Sequence, residues 1–155
     1  MIRRRCHGGG KDATDHAGGA AVGVILDSSE IIALERNRGM VESLIAGRES
    51  EPFGISVVTV AELLHGVERA DNETRRLRRQ AFVEKVVEML PIYPFDVAAA
   101  RIYARIWASL VQRGFTVGAH DLIIAATAIS LDYAVITSNR RDFEKIEGLR
   151  FEVRA

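Results

Sequence analysis

The sequence predicts an α/β fold in which a mainly parallel sheet of about five strands is covered by helices on both faces. Two observations carry that prediction. Short apolar runs rich in β-formers recur along the chain, and most of them are followed directly by a helical pattern of apolar residues. Runs of that kind read as buried strands, and strands that alternate with helices build a parallel sheet.

The elements follow in order. From Val22, "VGVIL" reads as a short buried strand, and "SSEIIALERN" as a helix with Ser28 or Ser29 as its N-cap. "ISVVTVAELLHGVERA" repeats the plan, with a strand near Ile55 to Val58 and a helix capped by Thr59, which has Glu62 three residues on in capping-box spacing. Glu73 to Leu90 is amphipathic, with Leu77, Phe82, Val83, Val86, Val87 and Leu90 apolar and a cluster of arginines outside. "PIYPF" is extended, and Asp96 stands where an N-cap belongs before "VAAARIYARIWASLVQRG". That helix presents Ile102, Tyr103, Ile106, Trp107 and Leu110, more apolar surface than one side of a helix needs to cover a sheet. Unless all of it is core, it predicts a homodimer built partly on this helix. A helix from about His120 to Leu131, the strand "YAVIT", a turn of helix at "RRDFEKI" and a last strand "LRFEV" complete the chain. No internal repeat is evident.

Composition bounds the function. A chain of 155 residues with 48% hydrophobic and 27% charged residues is ordinary globular usage and is expected to form one soluble domain. The domain is expected over residues 22–155, after a flexible glycine-rich leader at 1–21. The net charge of zero hides an uneven basic side: only Lys11, Lys85 and Lys145 among 21 basic residues are lysines. Arginine forks grip phosphates in pairs of hydrogen bonds, so the bias suits a phosphate-rich partner, although an arginine-favouring genome would produce it equally well. The single cysteine, Cys6, excludes a disulfide within the chain. Cys6, His7 and His16 are too few and too loosely placed to define a metal site. Apolar runs fall well short of the roughly 20 residues a membrane span requires. "MIRRR" is not followed by an apolar segment, so no signal peptide is read, and a cytoplasmic location is expected.

Ligands of open α/β sheets bind beyond the carboxyl ends of the strands. Asp27 ends the first strand, Asn139 and Asp142 follow "YAVIT", Glu62 lies in the first turn of the helix after the second strand, and Asp121 begins the helix that feeds the fourth. All four acids are therefore expected at one rim. Each has a plain structural explanation: a strand-end turn for Asp27, a capping-box partner for Glu62, a first-turn acid for Asp121 and a loop acid for Asp142. Taken together, their repulsion would cost on the order of several kcal/mol unless a cation compensated it. Oxygen ligands favour Mg2+ or Mn2+ over Zn2+. His65 lies one turn beyond Glu62 and His120 neighbours Asp121, but no H-x-x-x-H or C-x-x-C pair exists, and His120 is expected on the rim beside the site.

The succession "VILDSSEIIAL", "ISVVTVAELLHG" and "GAHDLIIAATAISLDYAVITSNRRDFEKIEGL" closely resembles the PIN-domain ribonucleases, and within them the VapC-type toxins of toxin–antitoxin pairs. The resemblance runs from about Val22 to the end. It implies a three-layer α/β/α sandwich, a Mg2+-dependent endoribonuclease, inhibition by a cognate antitoxin and a homodimer. It also assigns the catalytic acids to Asp27, Glu62, Asp121 and Asp142, with Thr137 and Asn139 as the supporting polar pair. Two features depart from the family: the glycine-rich leader, and Asp96, a fifth acid that is also a plausible N-cap.

The expected reaction is hydrolysis of an RNA phosphodiester by a metal-activated water. Asp27 and Asp121 would be the chief metal ligands; Glu62 and Asp142 would complete the shell, hold a second ion or orient the water. Arg140 and Arg141, and the arginines from Arg69 to Arg79, could bind flanking RNA backbone or simply form solvated faces. Two rivals stand beside this reading. A phospho-acceptor signalling domain would need a lysine at the site, and only Lys145 is near. An inactive PIN fold used as a binding module would have no need of all four acids.

Overall fold

The computed structural model describes residues 20–154. The expected leader at 1–21, with Cys6, His7 and His16, lies outside the described residues apart from Ala20 and Ala21. The elements are β1 (Gly23–Leu26), α1 (Ser28–Arg36), a 3-10 segment (Val41–Ile45), β2 (Phe53–Ser56), α2 (Val57–Glu68), α3 (Glu73–Met89), β3 (Ile92–Tyr93), α4 (Val97–Gln112), α5 (Ala119–Ser130), β4 (Tyr133–Thr137), α6 (Arg140–Phe143) and β5 (Phe151–Val153). The five strands form one sheet in the order β3-β2-β1-β4-β5, and every pairing is parallel.

Alternation along β1 divides the core into two layers. Val24 and Leu26 point to one face, where Ile55 and Ile136 meet Ile31, Leu34, Leu63, Val67, Val83 and Val86 of α1, α2 and α3. Ile25 points to the other, where Val135 meets Ile106 and Leu110 of α4, Ile124 and Ala125 of α5 and Phe143. The result is the three-layer α/β/α sandwich. Ile25 and Val135 are wholly buried, so truncating Ile25 to alanine would cost about 2–5 kcal/mol. At Gly54 the neighbouring strand comes so close that a Cβ would lie 2.4 Å from the Pro91 carbonyl and 2.6 Å from the Tyr93 ring, a contact only glycine permits.

Several boundaries differ from the sequence reading. The N-cap of α1 is Asp27 itself, and neither Ser28 nor Ser29. The N-cap of α2 is Ser56, whose hydroxyl accepts from Val58 N at 3.2 Å. Thr59 is therefore inside the helix, buried and with its hydroxyl unpaired, and Glu62 sits in the second turn. The strand stops at Ser56 because its partner registers reach only that far, with Gly54 on Ile25 of β1 and Ser56 on Tyr93 of β3. On α3, Leu77 and Val87 are exposed, while Val83 and Val86 are buried and Phe82 packs against the same core. On α4, Ile106 and Leu110 are core, which removes them from the expected surplus; Trp107, at 57% exposure, remains in it. Asp96 is an N-cap, its Oδ1 accepting from Ala99 N at 2.9 Å, and takes no part in the rim.

Candidate active site

Asp27 is 2% exposed at the carboxyl end of β1, and its backbone N–H donates to Ile136 O at 2.9 Å, which locks it to β4. Its Oδ1 accepts from Ser28 N at 2.8 Å and lies 3.4 Å from the Ser28 hydroxyl. Its Oδ2 accepts from Ser29 Oγ at 2.9 Å and from Thr137 Oγ1 at 2.7 Å. A buried carboxylate is tolerable only with such compensation, and here the helix start supplies part of it. The strand end thus aims the side chain and the donors hold its rotamer.

Asp142 is held in a comparable way from α6. Asn139 Nδ2 donates to its Oδ2 at 3.1 Å, and Lys145 Nζ lies 3.3 Å from its Oδ1. The Asn139 bond, followed by the Lys145 charge and that of Arg141, keeps this carboxyl below the usual range. Asn139 is itself positioned through its N–H, which donates to Thr137 Oγ1 at 2.8 Å. Arg140 is exposed and pairs with Glu144 at 3.3 Å.

Glu62 and Asp121 behave oppositely. Burial raises the Glu62 carboxyl and the Asp27 charge adds to it, while Ser28 and His120 pull the other way. Its Oε1 is buried without a hydrogen bond, and Nδ1 of the rim histidine His120 stands 3.5 Å away. Burial first, and then the charges of Asp27, Asp142 and Glu62, push Asp121 up to about 6. Among the described residues Asp121 accepts no hydrogen bond. All four acids therefore share one electrostatic field. Among those residues, however, no three His, Cys, Asp or Glu side chains are gathered into a ready-made metal cage. The donor set still fits a hard divalent cation: it is all oxygen, one buried carboxylate oxygen lacks a partner, and Asp121 is raised by burial and by the charges of three other acids.

Sequence reasoning missed the support around Asp27. Glu30, 5% exposed on α1, accepts from Ser138 Oγ at 2.7 Å, and Ser138 N donates to Ser29 Oγ at 3.2 Å. Arg154, beyond β5, reaches Glu30 Oε2 at 3.5 Å and Leu44 O at 2.8 Å. The doublet after Asp27 was the only signal, because a hydroxyl two residues from a capping aspartate has few other partners.

Beside Glu62, a groove of about 720 Å3 runs between α1, α2 and α3 over Ile32, Leu63 and Val83, rimmed by Arg36, Arg69 and Arg78. His65 lines the same groove and not the acid rim. No helix among the described residues is long and apolar enough to cross a membrane.

Residues 24–149 match the family model described as PIN domain. The chain is 40% identical over 131 residues to ribonuclease VapC1 of Rickettsia felis, covering 83% of this chain and 93% of the relative. It is also 40% identical over 124 residues to ribonuclease VapC5 of Mycobacterium tuberculosis, covering 80% and 87%. A tRNA(fMet)-specific endonuclease VapC of Shigella flexneri is 38% identical over 98 residues, 63% of this chain and 72% of that one. Among solved structures, the DNA-bound VapBC of Salmonella typhimurium superposes with a TM-score of 0.76 at 31% identity, over 85% of this chain and 98% of its own. VapBC-5 of Mycobacterium tuberculosis gives 0.65 at 36% identity, over 86% and 98%.

Proposed function

The chain belongs to the PIN-domain family, and we propose that it is a VapC-type toxin: a metal-dependent endoribonuclease that hydrolyses RNA phosphodiesters at Asp27, Glu62, Asp121 and Asp142. The observation that carries this reading is the buried Asp27 carboxylate, rigidly held at a strand end in the same field that raises Asp121 to about 6. Asp27 and Asp121 would hold the cation, Mg2+ or Mn2+, with Glu62 and Asp142 beside them. When bound, such a cation neutralises the rim and the scissile phosphate and makes a water more acidic.

The chain's own residues supply the rest. Thr137 and Ser29 keep Asp27 in one rotamer, and Asn139 with Lys145 keeps Asp142 ionised and in place. Glu62 Oε1, free of a hydrogen bond, is suited to accept the proton of an attacking water, which its raised basicity favours. The new P–O bond then forms as one ester bond to the RNA breaks. Arg140 and Arg141, next to Asp142, offer charge to the flanking backbone.

A cognate antitoxin restrains this activity in the proposed setting, the cytoplasm. The groove beside Glu62 suits it, because an apolar floor with an arginine rim fits an amphipathic segment bearing acids. The proposed homodimer uses α4, where Trp107 packs edge-on against Tyr103 and Tyr103 against Phe95, with Val97 and Val111 exposed alongside. Light scattering tests it: about 17 kDa at micromolar protein would rule the dimer out. The nuclease is tested with a fluorogenic RNA, purified protein and graded Mg2+. Cleavage that persists unchanged after exhaustive chelation would reject the metal-dependent mechanism.

A further inference from the structure

We propose that Glu30 is a positioning residue for Asp27, acting through Ser138 and held in place by Arg154. The inference rests on the nuclease reading of the Asp27 rim, and it concerns a buried acid that the reaction itself does not use.

Glu30 lies one helical turn after Asp27, with its side chain 4% exposed. An isolated carboxylate is costly there, and an apolar residue of similar size would serve packing better. The two oxygens divide their work: Oε2 faces Arg154 at 3.5 Å, and Oε1 takes the Ser138 hydroxyl at 2.7 Å. Ser138 is the middle residue of the segment that serves both Asp27 and Asp142. Before it, Thr137 donates to Asp27; after it, Asn139 donates to Asp142. Ser138 N donates to Ser29 Oγ, which in turn donates to Asp27 Oδ2. Every link in this chain has one direction, so the Glu30 oxygen sets where Ser138 sits, and Ser138 sets the hydroxyl that aims Asp27. A tie that merely fastened the last strand would not need Glu30. Arg154 already bonds Leu44 O at 2.8 Å, and Arg48 joins Glu152 of β5 at 2.7 Å.

Four variants test the proposal: Ser138→Ala, Ser138→Thr, Glu30→Met and Arg48→Met. Ser138 is exposed, so its alanine variant leaves no cavity. Mn2+ binding is read by electron paramagnetic resonance, turnover with the fluorogenic RNA, and the amide resonances of Ser28 and Asn139 by NMR. Ser138→Ala and Glu30→Met should each weaken Mn2+ binding and lower kcat by about tenfold or more, with KM for RNA within about twofold. Both amides should shift, and Ser138→Thr, which keeps the hydroxyl, should restore most of the loss. Arg48→Met should lower the melting temperature yet leave Mn2+ affinity, kcat and both amides unchanged. Wild-type behaviour of Ser138→Ala and Glu30→Met in all three readouts would overturn the proposal, as would an equal loss in Arg48→Met. A wild type that neither bound Mn2+ nor cut RNA would sink the nuclease reading separately; unmoved Ser28 and Asn139 amides would then still refute the positioning role.

Discussion

The four acids of the rim form two unlike pairs. Asp27 at the end of β1 and Asp142 on the short α6 beyond β4 are ringed by donors: Ser28, Ser29 and Thr137 for the first, Asn139 and Lys145 for the second. Glu62 on α2 and Asp121 on α5 have no comparable donors and are pushed upward by burial and by the other acids. One pair is compensated by hydrogen-bond donors of the protein; the other is not. The difference teaches that a site of four like charges is folded stably by neutralising half of it in advance, and it predicts that substitutions in the two pairs will have opposite effects on stability.

The largest effect is expected on activity from Asp27→Asn, which keeps shape and removes charge. Turnover should fall more than about 100-fold, beyond the range for losses of outer partners alone. The circular dichroism spectrum should match wild type, and near-normal cleavage would take Asp27 out of the site.

Next comes Asp121→Asn without metal. Its folded carboxyl titrates at about 6 against an ordinary value of 3.8, so the neutral form favours folding. That advantage is complete below about pH 4 and is lost as pH rises through about 6. At pH 7 the variant should therefore melt higher than wild type by a few degrees, and the gap should close below about pH 4. Adding Mg2+ should raise wild type more than the variant. Scanning calorimetry across pH would show this, and a variant that melts lower at pH 7 would contradict the uncompensated pair.

Asp142→Asn should show the smallest change, with the reverse sign. Its carboxyl is depressed, so its contribution is present above the ordinary carboxylate range and is lost as pH falls through the lowered value. The variant should melt slightly lower than wild type at pH 7 and equal it in strong acid. A stabilised Asp142→Asn would place all four acids in one class and dissolve the comparison.

Much of this was legible in the residues themselves. The strand-then-helix succession, the ends of β1 and β4, and the convergence of Asp27, Glu62, Asp121 and Asp142 follow from local patterns, because apolar periodicity reports which face is buried and strand-end acids have few other places to go. Capping was less legible. Ser56 and Thr59 both offer a hydroxyl near the start of α2, and Thr59 has the better local partner in Glu62; pairing of β2 with β1 and β3 chose Ser56. Similarly, the apolar excess on α4 was visible, but which of its residues face the sheet depends on how the helix is turned, and that turned Ile106 and Leu110 inward and Trp107 outward.

By itself, then, the sequence determined the alternation of strands and helices and where each acid falls along them, since those depend on interactions among near neighbours in the chain. Only the tertiary structure decided how those acids differ. The donors to Asp27 come from residues 1, 2 and 110 positions away, the Glu30 partner Ser138 is 108 positions distant, and Asp121 is raised by the charges of Asp27, Asp142 and Glu62 as well as by burial. Charge state depends on burial and on distances of a few ångströms between such remote groups, and no local pattern carries that information.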